Sequence, residues 1–571
     1  MTDARRTLLR RLIWVALGAI AIWFVAALVM VALSGLAARD AARQLDQVRS
    51  DLTIEGALQG EGRAELAAAA SAMDRAAGLV ANPIVAPLNM LPVIGRQVRS
   101  LDALAQTSAA LLDDGVTALD EVSAVSDSVS DPAGRVAALE TMHAAVVTLG
   151  ETVDRADLGP SEGLIGPLAD ARNELDQAIT DLGDGLADAD AVLSGVAAFL
   201  RNGQQLLLIA NNAEMRAGQG MTLSLAELKT NNGQLMLGEI VPAAEDNLPP
   251  GAVPVTADTE QLVANWGWLH PLDDWRNLGV SPRFDVTGPL AAQMWKVSTG
   301  RDVDSVLLVD VEAMRVVLAA TGPITVNGRT IDADNLVFEL LVQQYFNTDV
   351  SDRRNGLDDI ARAAFDALES GAWDLTTLAR GLQVAAEGRH VLAWSADPVQ
   401  QAAWVAADVA GTLDDRSLLI GTVNRGGNKL DPFLTVDVVT TVDGGSVHAE
   451  ITVTNDAPNG LPRYAGGPHP NSDGAYGEYI GVLAVSLPGA ATDVVLEGGE
   501  RRVVDGLDGP TRVVAAWFRL PQGARSVFTL DLTLPPGVSD LEVESSARLP
   551  PMNWLVDGAT RTDVTRSRIS T

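Results

Sequence analysis

The chain of 571 residues contains no cysteine. Disulfide frameworks, thiolate metal sites and cysteine nucleophiles are therefore excluded. Histidine is scarce as well: His143, His270, His390, His448 and His469 are the full set. No two stand four residues apart, and neither an H-E-x-x-H helix nor a D-x-D-x-D-G loop occurs, so no metal site is expected. No G-x-S-x-G elbow marks a serine nucleophile. Gly218-Gln219-Gly220 and Gly426-Gly427 are too short for either glycine-rich phosphate loop and read as turns. No cofactor is expected and no catalytic residue can be named. Lysine is limited to Lys229, Lys296 and Lys429, so the cations are nearly all arginine. Positive charge is in deficit overall: the net charge is −33 and the pI near 4.4. Such a chain repels a phosphate backbone, which sets nucleic acid aside as a partner.

Long apolar runs are also lacking, with one exception. Arg5, Arg6, Arg10 and Arg11 precede 25 uncharged residues, Leu12 to Leu36, which include Trp14 and Trp23. At 1.5 Å per residue this run crosses a hydrocarbon core of about 30 Å. The spacing predicts a cytoplasmic tail over 1–11 and a single transmembrane helix over 12–36, with the bulk of the chain extracytoplasmic, since arginine clusters stay inside. A cleaved signal peptide is the competing reading. Its apolar region is ordinarily about 7–15 residues, shorter than this run.

From 37 to 198 aromatic residues are few, and Ala, Leu, Asp and Glu dominate. Val136, Leu139, Met142, Val146, Leu149 and Val153 step by three or four, as do Leu175, Ile179, Leu182 and Leu186. Each stripe predicts a helix with one buried face. Pro83, Pro87, Pro92, Pro132, Pro160 and Pro167 interrupt them, because the pyrrolidine ring cannot continue a helix. The expectation is an antiparallel helical spacer. Between 37 and 195 there are 26 acidic residues against 10 arginines, a net of −16. A solvated, self-repelling surface explains this; a partner-binding coiled coil is the alternative.

From 199 to 428 strands and helices alternate, which predicts an α/β module. It opens on an apolar strand, Gln205 to Ile209. A polar loop follows with Asn211, Asn212, Glu214 and Arg216, then a hairpin around Asn231-Asn232-Gly233. Open α/β sheets bind ligands past the carboxyl ends of strands. Arg216 there can clamp a phosphate or carboxylate in bidentate fashion. These four residues are the candidate ligand-binding set. In the plainer reading Asn and Glu cap backbone groups and Arg216 pairs with Glu214 or an acidic neighbour. Asn327-Gly328 predicts a tight hairpin turn, and Asp397-Pro398 with Gln400 predicts a helix start. A second polar loop, Asn424 to Lys429, brings Arg425 and Lys429 together and reads as a junction turn. From 429 to 550 helical periodicity stops. About seven short β-rich runs, beginning with the hairpin Phe433–Val442 and Ser446–Asn455 around Asp443-Gly444-Gly445, predict an immunoglobulin-like β-sandwich. Residues 551–571 read as a polar tail.

Several of these runs occur in order in a known family. LLLIANNAEMRAGQG, DSVLLVDVEAMRVVLAATGPITV, GRHVLAWSADPVQQA, GGNKLDPFL and ITVTNDAPNGLP resemble a bacterial, largely actinobacterial, family of single-pass membrane proteins called domain of unknown function 4012. The resemblance covers about 200 to 465. Here the loop reads Arg216-Ala-Gly-Gln-Gly, where the family more often has Thr and Gly after the arginine. A second similarity lies in element order: strand, polar loop with Arg, hairpin, helix, Val-Asp strand and Thr-Gly-Pro-Ile-Thr-Val resemble the LytR-CpsA-Psr enzymes. Those are membrane-anchored, extracytoplasmic proteins that move polyprenyl-pyrophosphate-linked glycopolymers. Arg216 matches one of their pyrophosphate-holding arginines. The arginine expected at the end of the hairpin is absent, since this chain reads Gly238-Glu-Ile-Val-Pro242.

The resemblances imply an α+β multidomain protein of the bacterial cell envelope, seated in the membrane. Its partners would be a cell-wall glycopolymer, a lipid-linked glycan or another protein. Two functional readings stand: a binding or structural protein, and a glycopolymer transferase of the LytR-CpsA-Psr type.

Overall fold

The computed structural model describes residues 26, 27, 29, 30, 62–125, 131–346, 350–371, 373–469, 473–556 and 558–570. The expected tail over 1–11 and all but four residues of the expected span over 12–36 lie outside the described residues. Among the described residues no helix is long and apolar enough to cross a membrane. The chain is mixed α+β and divides into two compact units. One comprises Met1–Ser128 with Ala137–Leu193, the other Val129–Val136 with Ser194–Thr571.

The first unit is helical: α1 (Arg63–Val80), α2 (Ile94–Val125), and most of α3 (Pro132–Asp154) and α4 (Gly166–Arg201). Pro83, Pro87 and Pro92 lie between α1 and α2, and Pro132 and Pro167 fall in the first turns of α3 and α4, where a missing N–H costs nothing. The pairs run antiparallel. Arg63 of α1 bonds Asp120 of α2 at the Nη2–Oδ2 distance of 2.7 Å, while Val80 packs with Val98. His143 of α3 lies 2.7 Å from Asp190 of α4. The core between α1 and α2 is mostly alanine, with Met73 and Leu112. Alanine lets helix backbones approach closely, but it contributes little apolar area.

The second unit opens with β1 (Asn202–Arg216), β2 (Gln219–Asn231) and β3 (Gln234–Pro242). A short helix α5 (Glu260–Trp266), α6 (Phe284–Thr299), β4 (Ser305–Val309), α7 (Val311–Thr321) and the small hairpin β5 (Ile324–Val326)–β6 (Arg329–Ile331) follow. Next come α8 (Leu336–Leu341), α9 (Val350–Glu369), α10 (Leu375–Glu387), β7 (Val391–Ser395) and α11 (Pro398–Ala406). A five-stranded sheet has the order β3-β2-β1-β4-β7, with β1 and β4 parallel from Gln205↔Ser305 to Ile209↔Val309. Side chains alternate across it. Leu206 and Leu208 face a cluster with Trp266, Trp275, Phe284 and Met294; Leu207 and Ile209 face the other side with Leu237 and Ala361. Both faces are covered, which is why this strand reads as a continuous apolar run.

The remaining strands form two six-stranded sheets. The first contains β8 (Ser417–Asn424), β11 (Tyr479–Pro488), β13 (Arg501–Asp508), β14 (Thr511–Leu520), β16 (Asp540–Val543) and β19 (Ser567–Ser570). The second contains β9 (Leu434–Asp443), β10 (Ser446–Asn455), β12 (Thr492–Glu497), β15 (Arg525–Thr533), β17 (Asn553–Val556) and β18 (Ala559–Thr562). A four-residue helix, Arg463–Gly466, precedes β11. The two sheets share one core, in which the Phe518 and Phe528 rings meet edge-on at 5.4 Å. On β11, Leu483 and Val485 face this core, while Val482 and Ala484 face the tryptophan cluster beside the five-stranded sheet. The sheet holding β8 and β11 is thus buried on both faces.

Four expectations are corrected. β8, assigned above to the α/β module ending at 428, is hydrogen-bonded to β11 and β16, so the division at 428 does not separate two sheets. Residues 551–571 are not a loose tail: β17, β18 and β19 extend the two large sheets. The polar segment 211–216 is not a loop either, because it completes β1. The sandwich also has more than the seven strands expected.

Candidate functional site

β1 and β2 pair regularly as far as Ile209, and the ladder then slips twice, between Ile209 and Ala210 and again within the polar segment. Asn211 opposes Met221 and Met215 opposes Gly220, so Asn212, Ala213 and Glu214 bulge out of register. A bulge inside a strand re-aims side chains, and here it sends consecutive residues to separate environments. The turn Ala217-Gly218 is held by close backbone approach. A Cβ on Gly218 would collide with Pro282, and one on Gly421 of β8 would collide with the Ala217 carbonyl. Glycine is required at both places for that reason.

All four candidate residues are buried. Asn212 turns inward: its Nδ2 donates to Asp310 Oδ2 at 2.7 Å and to the Ala547 carbonyl at 2.8 Å. Asp310 caps α7 by accepting from the Glu312 and Ala313 amides, and its other oxygen lies 2.7 Å from His390 Nδ1. Burial pulls the His390 imidazolium down, but the charge and hydrogen bond of Asp310, with Glu312, lift it above its usual value. Asn212 therefore belongs to a structural network and does not line the cavity described next.

Asn211, Glu214 and Arg216 line a cavity of about 840 Å³. Asn211 Oδ1 accepts from the Ala213 amide, and its Nδ2 reaches the Tyr345 hydroxyl at 3.5 Å. Burial, then Glu214 and Tyr464, raise the Tyr345 hydroxyl well above its usual value, so it stays protonated. Glu214 is ion-paired to Lys429, whose ammonium also lies 5.0 Å from the Tyr464 ring centre. The expected Glu214–Arg216 pair is not made. Instead Arg216 Nε donates to Asn277 Oδ1 at 3.0 Å, and Nη1 donates to the carbonyls of Met215 at 3.0 Å and Asn424 at 3.2 Å. Burial lowers Arg216 to about 10; Glu214 holds it up and the nearby Arg425 pushes it down. It remains cationic at neutral pH.

Arg425 completes the cationic wall. Its guanidinium carbon lies 6.0 Å from the Trp268 ring centre, and Trp268 in turn meets Trp517 at 6.4 Å with the rings tilted by 54°. Arg276 is already bound by both oxygens of Asp274, at 2.8 and 2.7 Å. Among the described residues, neither Arg216 nor Arg425 forms an ion pair. The cavity thus offers two guanidinium groups without an ion pair, each in the field of Asp274 and Arg216 also in that of Glu214, beside an aromatic wall of Trp268, Trp517 and Tyr464 and asparagines at 211, 247, 277 and 424.

The expectation placed Asn211, Asn212, Glu214 and Arg216 at one site; Asn211, Glu214 and Arg216 share this wall and Asn212 does not. The second polar loop, read as a junction turn, contributes Arg425 and Lys429 to the same wall. Asn277, Trp517 and Tyr464 carry no local signal, since they arrive from distant segments. Among the described residues, no group of three or more His, Asp or Glu side chains is placed to hold a metal ion.

The architecture and the cavity together define a mixed α+β chain with a cavity lined by arginines, carboxylates, asparagines and aromatic rings. Residues 202–345, from β1 to the tyrosine beneath Asn211, match the family described as "Protein of unknown function (DUF4012)". No curated protein and no solved structure matches the chain.

Proposed function

We propose that this is a single-pass, membrane-anchored extracytoplasmic protein of the bacterial cell envelope that binds an anionic glycopolymer in the cavity beside Arg216. The observation that carries the reading is the pair Arg216 and Arg425, unpaired beside the Trp268–Trp517 face in a chain of net charge −33. In so acidic a protein an anion is admitted only where local cations outweigh the general repulsion. Aromatic faces fit the apolar faces of sugar rings, and guanidinium forks fit phosphate or carboxylate substituents. Asparagine side chains both donate and accept, which suits hydroxyl groups. The 25-residue apolar run and the arginines before it support the anchor and its orientation. Transfer of a polyprenyl-linked polymer is the less favoured reading. The second arginine that would hold a pyrophosphate is absent from the hairpin end, where the chain reads Gly238-Glu-Ile-Val-Pro242.

The test is retention of purified bacterial wall polymers by the full chain in detergent, compared with Arg425→Ala and Trp268→Ala. Both side chains are partly or fully exposed, so folding should survive the changes. Binding of an acidic wall polymer that both substitutions weaken supports the reading. Equal retention by all three proteins overturns it.

A further inference from the structure

The connection between α1 and α2 carries an apolar surface that the fold does not use. From Val80 to Ile94 fifteen residues pass without a charge, and Pro83, Pro87 and Pro92 keep the connection stiff. Val85 and Leu88 point inward and are fully buried. Met90 is 87% exposed and Val93 69%, with Ile84 and Leu91 at 38% each. Four large apolar side chains on one short loop are unusual on a surface otherwise dominated by acids.

Along the sequence the charges next to this loop have one sign, while in space Asp102 and Asp157 share a groove with Arg99. Between Asp74 and Asp102 the only charged residues are Arg75, Arg96 and Arg99. Arg96 and Arg99 are exposed, and neither forms an ion pair among the described residues. Arg99 Nη1 donates to the Asn89 carbonyl at 2.9 Å, which holds it against the loop. A window of this length with no acid stands out in a unit whose net charge is strongly negative.

The loop also sits where the uncharged N-terminal run meets the unit. Ala27 is fully buried in the cluster formed by Val80, Val85, Leu88 and Val98, and Met30 packs against it. Residues 27 and 30 belong to the Leu12–Leu36 run. The exposed side chains of the loop therefore lie beside the one segment suited to a hydrocarbon core.

We infer that the α1–α2 loop is a membrane-seating surface: Ile84, Met90, Leu91 and Val93 enter the interfacial layer of the bilayer, and Arg96 and Arg99 contact lipid phosphates. Apolar side chains flanked by cations are the pattern of interfacial insertion, because one part is desolvated while the other meets anionic headgroups. The inference rests on the anchored reading above.

Because the chain has no cysteine, single nitroxide labels can be placed on the full-length protein in phosphatidylglycerol-containing vesicles. Met90→Cys reports the loop and Ile20→Cys the apolar run. Glu121→Cys is exposed and lies about 40 Å along α2 from Ile94. Collision with oxygen, which favours lipid, is compared with collision with a nickel chelate, which favours water. A label at 90 shielded from nickel and open to oxygen, with 121 open to nickel, is the expected result. A label at 90 open to nickel while 20 is lipid-exposed overturns the seating surface and leaves the anchor standing. Labels at 20 and 90 both open to nickel overturn the two together. Shielding of 90 from both agents would mean a protein contact, such as a second copy, and would also overturn the proposal.

Discussion

Two buried polar clusters lie close together in the second unit, and they are built to opposite rules. Around Asp431 every oxygen is occupied. Oδ1 accepts from Thr422, Tyr479 and Arg548, and Oδ2 from the Met215 amide and Asn424. Arg548 also donates to the Asp431 and Leu434 carbonyls. Burial pushes the Asp431 carboxyl up, and Arg548 with these hydrogen bonds pulls it back. Among the described residues, Arg548 Nε alone is left without a partner there. One strand away, Arg216 is also buried but faces a cavity, and its hydrogen bonds use Nε and Nη1. A carboxylate with every oxygen occupied holds elements in place, whereas donors that face a cavity can still take a ligand. The contrast places Asp431, Asp310 and Asn212 in the internal framework and leaves Arg216 and Arg425 as the residues of the proposed binding site.

The strongest way to break this contrast is Asp431→Ala, which strands Arg548 inside the protein. Removing one partner of a buried pair costs about 3–5 kcal/mol. Denaturant unfolding should show that loss, and a change below about 1 kcal/mol would mean the cluster is not a stability hub. Asn212→Ala should cost about 1–3 kcal/mol by leaving Asp310 and the Ala547 carbonyl short of a donor. It should leave polymer binding intact. Lost binding without lost stability would return Asn212 to the ligand site.

His390 gives a pH test of the same network. Its folded value lies above the unfolded one of about 6.5, so protonation favours the folded state. The stabilisation is complete below about pH 6.5 and disappears as pH rises through the raised folded value. His390→Gln should flatten this part of the stability profile, and an unchanged profile would contradict the Asp310–His390 interaction. The smallest stability effect belongs to Arg425→Ala, within about 0.5 kcal/mol for an exposed side chain without an ion pair. Its affinity for an acidic polymer should nevertheless fall about tenfold, read by direct titration.

Local chemistry was legible where a short segment decides its own shape. Asn327 and Gly328, with φ of 51° and 75°, make the two-residue turn expected between β5 and β6. Asp397 caps α11 through the Val399 and Gln400 amides, as its Pro and Gln neighbours foretold. The run 211–216 misled because polarity was taken for exposure. Its four polar side chains are buried and find partners far along the chain, such as Asn277 for Arg216 and Ala547 for Asn212. No window along the chain reveals such partners. The strands after 551 escaped for a related reason: they are four residues long and gain their order from the sheets they join.

The close approach of Gly421 to the Ala217 carbonyl has a consequence for how this unit can come apart. β8 presses its backbone on the β1–β2 turn while pairing with β11 and β16, so the strand is shared by two layers. Cutting the chain after 428 would leave β8 without either neighbour and expose the glycine seat. Neither half should then survive as an autonomous fragment. Limited proteolysis should release no stable piece ending near 428, and heating should unfold residues 194–571 in one cooperative step.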